Sequence, residues 1–495
     1  MKKYQFFLLS LATALIFTFL FYKKSLGINL LLFEAIFIPA MIYMNRPVKF
    51  NFLTSSLLIA AIVTGIFVML YSTTWGIIIN FLFLFMLATA LNNRGSKSFI
   101  HVGLETFPRT ILAQTYVFQK SDDEQKNSKS GSLRKIVYFV IIPLLILIIF
   151  FLLYVASSST FYNRVESVFR FISELNFALI LFFILGIIVA NVLLVNTKPT
   201  SIYTSDISST DDLIRKRKPY YYHFRKDGLI MQNRVGIILL VLLNLLILFF
   251  NYLDISTIWF SFTWEGDTLK EFVHQGTWVL ILTVIISAGI ALYFFHNNLN
   301  FYSKNKTLKT LTVIWLSQNF IMMISVIIRN YWYIHYFGLA YKRIAVMFFL
   351  VLVAIGLISI IFKVLKVKST YYLLRVNGLS LFLILFISTL FNWDVIIAKH
   401  NFKHYDRSYV EYRFMAKMDE SALPYTVKPI DELINIDNTQ REIMPAHLRY
   451  NYYWSYSEYY EKIEEKKDDF LLDYPKRKFL EWNYADYKAY KMLTE

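Results

Sequence analysis

Apolar positions in this chain come in runs of nearly constant length. Stretches near residues 4–22, 26–44, 52–71, 74–91, 136–155, 176–195, 235–253, 275–295, 310–328, 344–362 and 371–392 are apolar almost throughout, and Glu34 and Arg375 are the only acidic or basic residues within them. A helix rises about 1.5 Å per residue, so about 20 residues cross the roughly 30 Å of hydrocarbon in a bilayer. Runs that long and that continuous predict membrane-spanning helices. The expected fold is therefore an all-α polytopic membrane protein with about 11 transmembrane helices and a mainly helical extramembrane tail at the C-terminus. The first run follows a basic prefix, Lys2 and Lys3, as in a signal peptide; it is too long for one and no small-residue cleavage site follows, so it reads as a retained span.

Charge then orients the spans. Positively charged loops stay on the cytoplasmic side during insertion. With the N-terminus in the cytoplasm, 27 Lys and Arg fall in segments on that side and 8 on the other, which places the C-terminal tail outside. The tail from residue 393 adds 16 Lys and Arg against 19 Asp and Glu, so the membrane part carries +20 and the tail −3 of the net +17. That distribution is topological, and no nucleic-acid partner is expected from it.

Composition agrees with the pattern. The chain is 57% hydrophobic and 17% charged, with a mean hydropathy of +0.47, whereas soluble chains are about 45–50% apolar and about 25% charged. It has no cysteine, which excludes disulfides, thiolate metal sites, cysteine nucleophiles and lipid-modified cysteine anchors. The organisation expected is a four-helix membrane region (1–91), a cytoplasmic loop with a candidate amphipathic helix interrupted by Pro108 (92–135), a seven-helix membrane region (136–392) containing a basic cytoplasmic loop (196–234), and a Tyr-rich extracytoplasmic tail (393–495). The basic loop carries Arg215, Lys216, Arg217 and Lys218, a run that attracts anionic lipid at about 1 kcal/mol per charge. The tail holds 14 of the 35 tyrosines, suits a small helical domain, and is the expected surface for protein partners.

Candidate chemistry is sparse. Glu34 lies inside the second run, where an ionisable group costs about 2.5–3.5 kcal/mol and so calls for a partner or a coupling role; Pro39 can open backbone groups beside it. Gln318 and Asn319 are the polar pair best placed to line a cavity or bond across helices. The segment 329–343, expected as an outside loop, collects Arg329, Tyr333, His335, Gly338, Lys342 and Arg343, more cations than that side should hold, and is a candidate site for an anionic headgroup, substrate or partner acid. A second outward segment, 264–278, carries Glu265, Asp267, Glu271 and His274, suited to acid–base work, a divalent ion or simple complementarity to the basic loop. His400 and His404 stand one helical turn apart, a zinc-like spacing without the glutamate of the H-E-x-x-H motif; Asp394 or Asp406 would have to be the third ligand. Neither a phosphate loop, a dinucleotide fingerprint nor a nucleophile elbow occurs, so no cofactor is expected.

At these loops the chain resembles a family of bacterial integral membrane proteins of unknown function, DUF4153, and its relative DUF4173. The resemblance is carried by Arg329, Tyr333, Phe337, Gly338, Leu339, Ala340 and Arg343, by residues 271–278, by Asn401 and by the stretch 415–424. Phe337 and Ala340 replace the family's Tyr and Thr, and His274 its Arg. The match runs from about residue 90 to 430 and implies a multi-pass protein of the bacterial plasma (inner) membrane without a known activity. Three readings follow: a non-enzymatic envelope scaffold or regulatory component, a secondary transporter using Glu34, or a membrane enzyme acting on lipid or glycan at the outer face.

Overall fold

The computed structural model describes residues 3–48, 50–115, 177–215, 224–259, 268–295, 298–443 and 454–495, with isolated positions between 143 and 158. Helices dominate and no strand occurs among the described residues. The first part contains α1 (Lys3–Phe21), α2 (Ile28–Met44), α3 (Phe52–Tyr71), α4 (Thr74–Asn92), α5 (Phe99–Thr115), α6 (Phe177–Leu194) and the short α7 (Ser201–Ser208). The second contains α8 (Phe224–Asp254), α9 (Thr268–Phe294), α10 (Lys306–Phe337), α11 (Tyr341–Lys366) and α12 (Thr370–Ser388).

Seven of these helices are long and apolar enough to cross a membrane, and shorter apolar segments lie at Phe7–Phe21, Ile28–Met44 and Trp278–Phe294. They coincide with ten of the runs in the sequence; the run at 136–155 falls almost entirely outside the described residues. Short polar caps set where helices start. Asn51, Thr73, Ser369 and Asn392 each accept a backbone N–H from the first turn of the helix that follows.

Each bundle has its own core. Phe17, Phe33, Leu57, Phe83 and Leu193 pack in the first, and Leu240, Val284, Trp315, Leu316 and Leu357 in the second. Helix α12 joins them, since Phe382 lies 5.1 Å from Phe83 and stacks 4.3 Å from Phe99. Outward faces are equally apolar: Ile238, Leu242, Leu245 and Phe249 of α8 are all exposed, as hydrocarbon requires.

Helix α5 departs from the expected interfacial helix. Pro108 sits inside it without ending it. Its buried face is the polar one: Arg109 donates to Val192 O at 2.7 Å and Val195 O at 2.8 Å, capping α6, while Glu105 accepts the Thr200 N–H at 3.0 Å at the start of α7. Leu104, Phe107 and Ile111 point outward. The sequence showed the amphipathic periodicity but not that protein would take the charged side.

Beyond the membrane helices come α13 (Trp393–Lys403), α14 (Ile430–Ile443), α15 (Tyr456–Asp473) and α16 (Tyr484–Thr494). Tyr459 is their centre, fully buried, stacked 4.8 Å from Tyr412 and donating to Thr426 O at 2.7 Å. This tail packs on both bundles: Leu339 and Ile344 join its core, and Trp482 O accepts the Ile28 N–H at 3.1 Å at the start of α2. At the opposite end the loops tie to one another. Asp206 accepts from Tyr371 and Lys97 N, and Asp211 pairs with Arg375.

Candidate functional site

The polar residues singled out in the spans fall into separate places. Glu34 is 3% exposed in the first core. Asn80 of α4 donates to its Oε1 at 2.6 Å and also approaches Thr64 Oγ1 and Ala61 O at 3.0 Å. Gly65 of α3 presses on the same carboxyl: a Cβ there would lie 2.2 Å from Glu34 Oε2. The space around Glu34 is thus filled by protein. Gln318 and Asn319 lie on α10 in the second bundle, where Gln318 donates to Asn244 Oδ1 at 2.7 Å and Asn319 to Trp315 O at 2.8 Å. No hydrogen bond among the described residues joins them to Glu34.

Segment 329–343 is a helix for most of its length, because α10 runs on to Phe337. Arg329 is buried and pairs with Asp254, the last residue of α8. Asp254 stands one position beyond the apolar run 235–253, so a reading that stops at the run misses it. Arg343 turns back from α11 onto the end of α10, donating to Phe337 O at 2.7 Å and to Gly338 O, with its guanidinium 4.2 Å from the Tyr333 ring centre. Gly338 has φ of +74°, the left-handed region that favours glycine. Asn401 then brackets Leu339, accepting its N–H at 2.6 Å and donating to its carbonyl at 2.9 Å. Two of the cations that looked in excess are therefore occupied within the α10–α11–tail junction. His335 packs 4.9 Å from Tyr336, and Lys342 is exposed.

Glu265 and Asp267 lie outside the described residues, as do Lys216, Arg217 and Lys218; Arg215 is exposed. Glu271 and His274 fall on the backbone of α9, their side chains undescribed. The His400 and His404 rings are 4.5 Å apart, and no group of three metal-ligating side chains occurs among the described residues. Burial, then the His404, Arg407 and Lys403 charges, holds His400 below its usual range.

A feature the sequence did not reveal lies beneath the tail. A cavity of about 670 Å³ opens between the start of α4, helices α11 and α12, and the first turns of the tail. Phe348, Phe349 and Leu352 of α11 and Leu381, Ile384 and Leu385 of α12 make its apolar walls. Asp394, Lys417 and Asp419 form its polar mouth together with Tyr341, Trp75 and Trp393. Ser388 fixes both indoles: its Oγ accepts from Trp75 Nε1 and its carbonyl from Trp393 Nε1, each at 2.8 Å.

Asp394 Oδ1 accepts the Tyr341 hydroxyl at 2.5 Å and the Asp419 N–H at 3.0 Å, which brings the two acids to one edge of the cavity. Asp419 lines the cavity as an exposed residue whose carboxyl is partly enclosed by neighbouring protein. That enclosure, followed by the negative charge of Asp486, pushes its carboxyl up to about 6 against the pull of the Ser421 N–H. Asp394 entered the sequence reading only as a third zinc ligand, and Asp419 only as part of the stretch 415–424. The available signal was position: Asp394 is the first charge after the last span.

Ten apolar helices among the described residues, a helical tail seated on their ends, and a side cavity that passes from apolar to polar define the class: a polytopic α-helical membrane protein with a pocket at its membrane boundary. The family described as a domain of unknown function, DUF4153, matches residues 30–428, and the chain belongs to that family. The match therefore takes in the first bundle from α2 onward as well as the loops that carry the motifs. No curated protein and no solved structure matches it.

Proposed function

We propose that this is a lipid-binding regulatory or scaffold component of the bacterial plasma membrane, N-terminus in the cytoplasm and tail outside, which holds one lipid molecule beneath that tail. The carrying observation is the polarity gradient of the cavity, from Phe349 and Leu352 at one end to Asp394, Lys417 and Asp419 at the other. An amphipathic molecule lying in the outer leaflet has the same gradient. The volume falls within the roughly 300–1,000 Å³ of small-ligand pockets. A lipid seated there touches α11, α12 and the tail together, so its presence adjusts how the tail packs on the membrane helices and what surface it offers to partners.

The test is mass spectrometry of the intact protein released gently from native membranes. One lipid per chain is expected. Ala345→Trp, which fills the cavity from its exposed wall, should abolish that retention; equal retention by wild type and this variant would overturn the reading.

A second reading, a membrane enzyme acting on a lipid at the same face, is favoured by two carboxylates on one edge of the cavity, with the Asp419 carboxyl held above its ordinary range, a group suited to acid–base work. It differs by requiring turnover, so a product of altered mass after incubation with lipid supports it and unchanged lipid rejects it.

A further inference from the structure

The cavity mouth carries a specific charge pattern. Neither Asp394 nor Asp419 takes part in an ion pair among the described residues, although cations are close. Lys466 points its ammonium at Ala416 O, 3.2 Å away, and at Met418 O. Arg477 is held by Glu420 and by Asp486. Two carboxylates thus line the cavity without an ion pair of their own among the described residues, the Lys466 charge acting on both only from beyond contact, and Lys417, exposed at the same mouth, makes no ion pair there either.

Resting on the lipid-binding reading, we propose that the occupant is a phosphoethanolamine-type lipid, its primary ammonium seated between Asp394 and Asp419 and its phosphate at Lys417. The chemistry follows from donor counting. A primary ammonium offers three N–H donors and can serve two carboxylates at once, as a lysine does. A quaternary choline offers none. An anionic glycerol headgroup meets two like charges and a single lysine. Trp75 and Trp393, pinned on Ser388, flank the mouth with aromatic faces that also favour a cation. Lys466 acts on the two acids by charge alone, its ammonium being tied to carbonyls, and Arg477 is tied to other acids. The ligand supplies the direct ion pair that neither acid makes with protein.

The experiment uses the full purified chain, stripped of lipid and incubated with an equimolar mixture of phosphatidylethanolamine, its N-methyl and N,N-dimethyl derivatives, phosphatidylcholine and phosphatidylglycerol with identical acyl chains. Retention is read by mass spectrometry of the intact protein. Retention should fall stepwise with each N–H removed, with phosphatidylethanolamine held about tenfold or more over phosphatidylcholine, the ratio expected for a charge-assisted hydrogen bond. The methyl series needs no mutant, so it tests the idea even where a variant misfolds. Asp394→Asn/Asp419→Asn should erase the preference while lipid is still retained, and Lys417→Gln should weaken phosphatidylethanolamine. Equal retention across the series, or preferred phosphatidylglycerol, overturns the headgroup assignment. If Ala345→Trp still abolishes retention in that case, the pocket stands and only the headgroup falls; if it does not, both fall.

Discussion

Glu34 and Asp254 are acids enclosed among membrane helices, whereas Asp394 and Asp419 are acids at the edge of a cavity. The first two have their neighbourhoods filled: Asn80 and Gly65 close on Glu34, and Arg329 pairs with Asp254. Of the second two, Asp394 accepts from Tyr341 and from the Asp419 N–H, and Asp419 accepts from Ser421, yet both keep an open side and no ion pair among the described residues. The first pair is removed from water, whereas Asp394 is half-buried and Asp419 exposed. What separates an internal fastening from a ligand site is whether protein closes over the acid, as around Glu34 and the Arg329–Asp254 pair, or leaves a side of it facing a cavity.

The largest effect should come from breaking a closed acid. Arg329→Ala leaves Asp254 buried without its cation and should cost about 3–5 kcal/mol, read as a lowered melting temperature of the purified protein. An unshifted transition would show that the pair is not a fastening. Gly65→Leu, which forces carbon into the Glu34 carboxyl, should cost about 1–3 kcal/mol by overpacking, with lipid retention per folded molecule unchanged. Lipid loss in step with cavity variants would join the two sites and break the comparison.

Acidity should act on the open pair. Asp394, Glu420 and Asp486 face Asp419 with like charge, Lys466 acts on it with opposite charge, Arg477 is held by Glu420 and Asp486, and Lys417 and Tyr341 share the mouth. Because the Asp419 carboxyl holds its proton up to about 6, above its ordinary value, the empty site stabilises the fold at low pH and loses that contribution as pH rises through 6. A bound ammonium needs the ionised form, so its sign is opposite. Retention of phosphatidylethanolamine should drop about tenfold from pH 7 to pH 5, one pH unit below that value. A flat profile would remove Asp419 from the binding site. The smallest effect is expected for Glu34→Gln, whose amide oxygen still accepts from Asn80: a change below about 1 kcal/mol, with lipid retention intact. A large loss in a cellular assay with the fold preserved would instead give Glu34 a role in proton coupling.

Much of this architecture was readable one segment at a time. The run 52–71 is the helix Phe52–Tyr71, and 371–392 overlaps the helix Thr370–Ser388. The junction motif was readable as a composition, Arg329 through Arg343 with Asn401, but its meaning was not. The excess of cations suggested a ligand, whereas Arg329 found Asp254, 75 residues away, and Arg343 found the carbonyls that end α10. The charged face of α5 was expected at a water boundary and lies against α6 and α7.

Hydrocarbon supplies no partners for backbone N–H and C=O groups, so each span must satisfy its own hydrogen bonds within itself, and length with lack of charge is written locally in the chain. Which helices touch is written nowhere locally, because a face packed on protein and a face packed on lipid are equally apolar. Folding in three dimensions therefore decided that Glu34 would be closed over, that Asp394 and Asp419 would share one edge, and that residues as distant as Trp75, Phe348, Leu385 and Lys417 would enclose a single cavity.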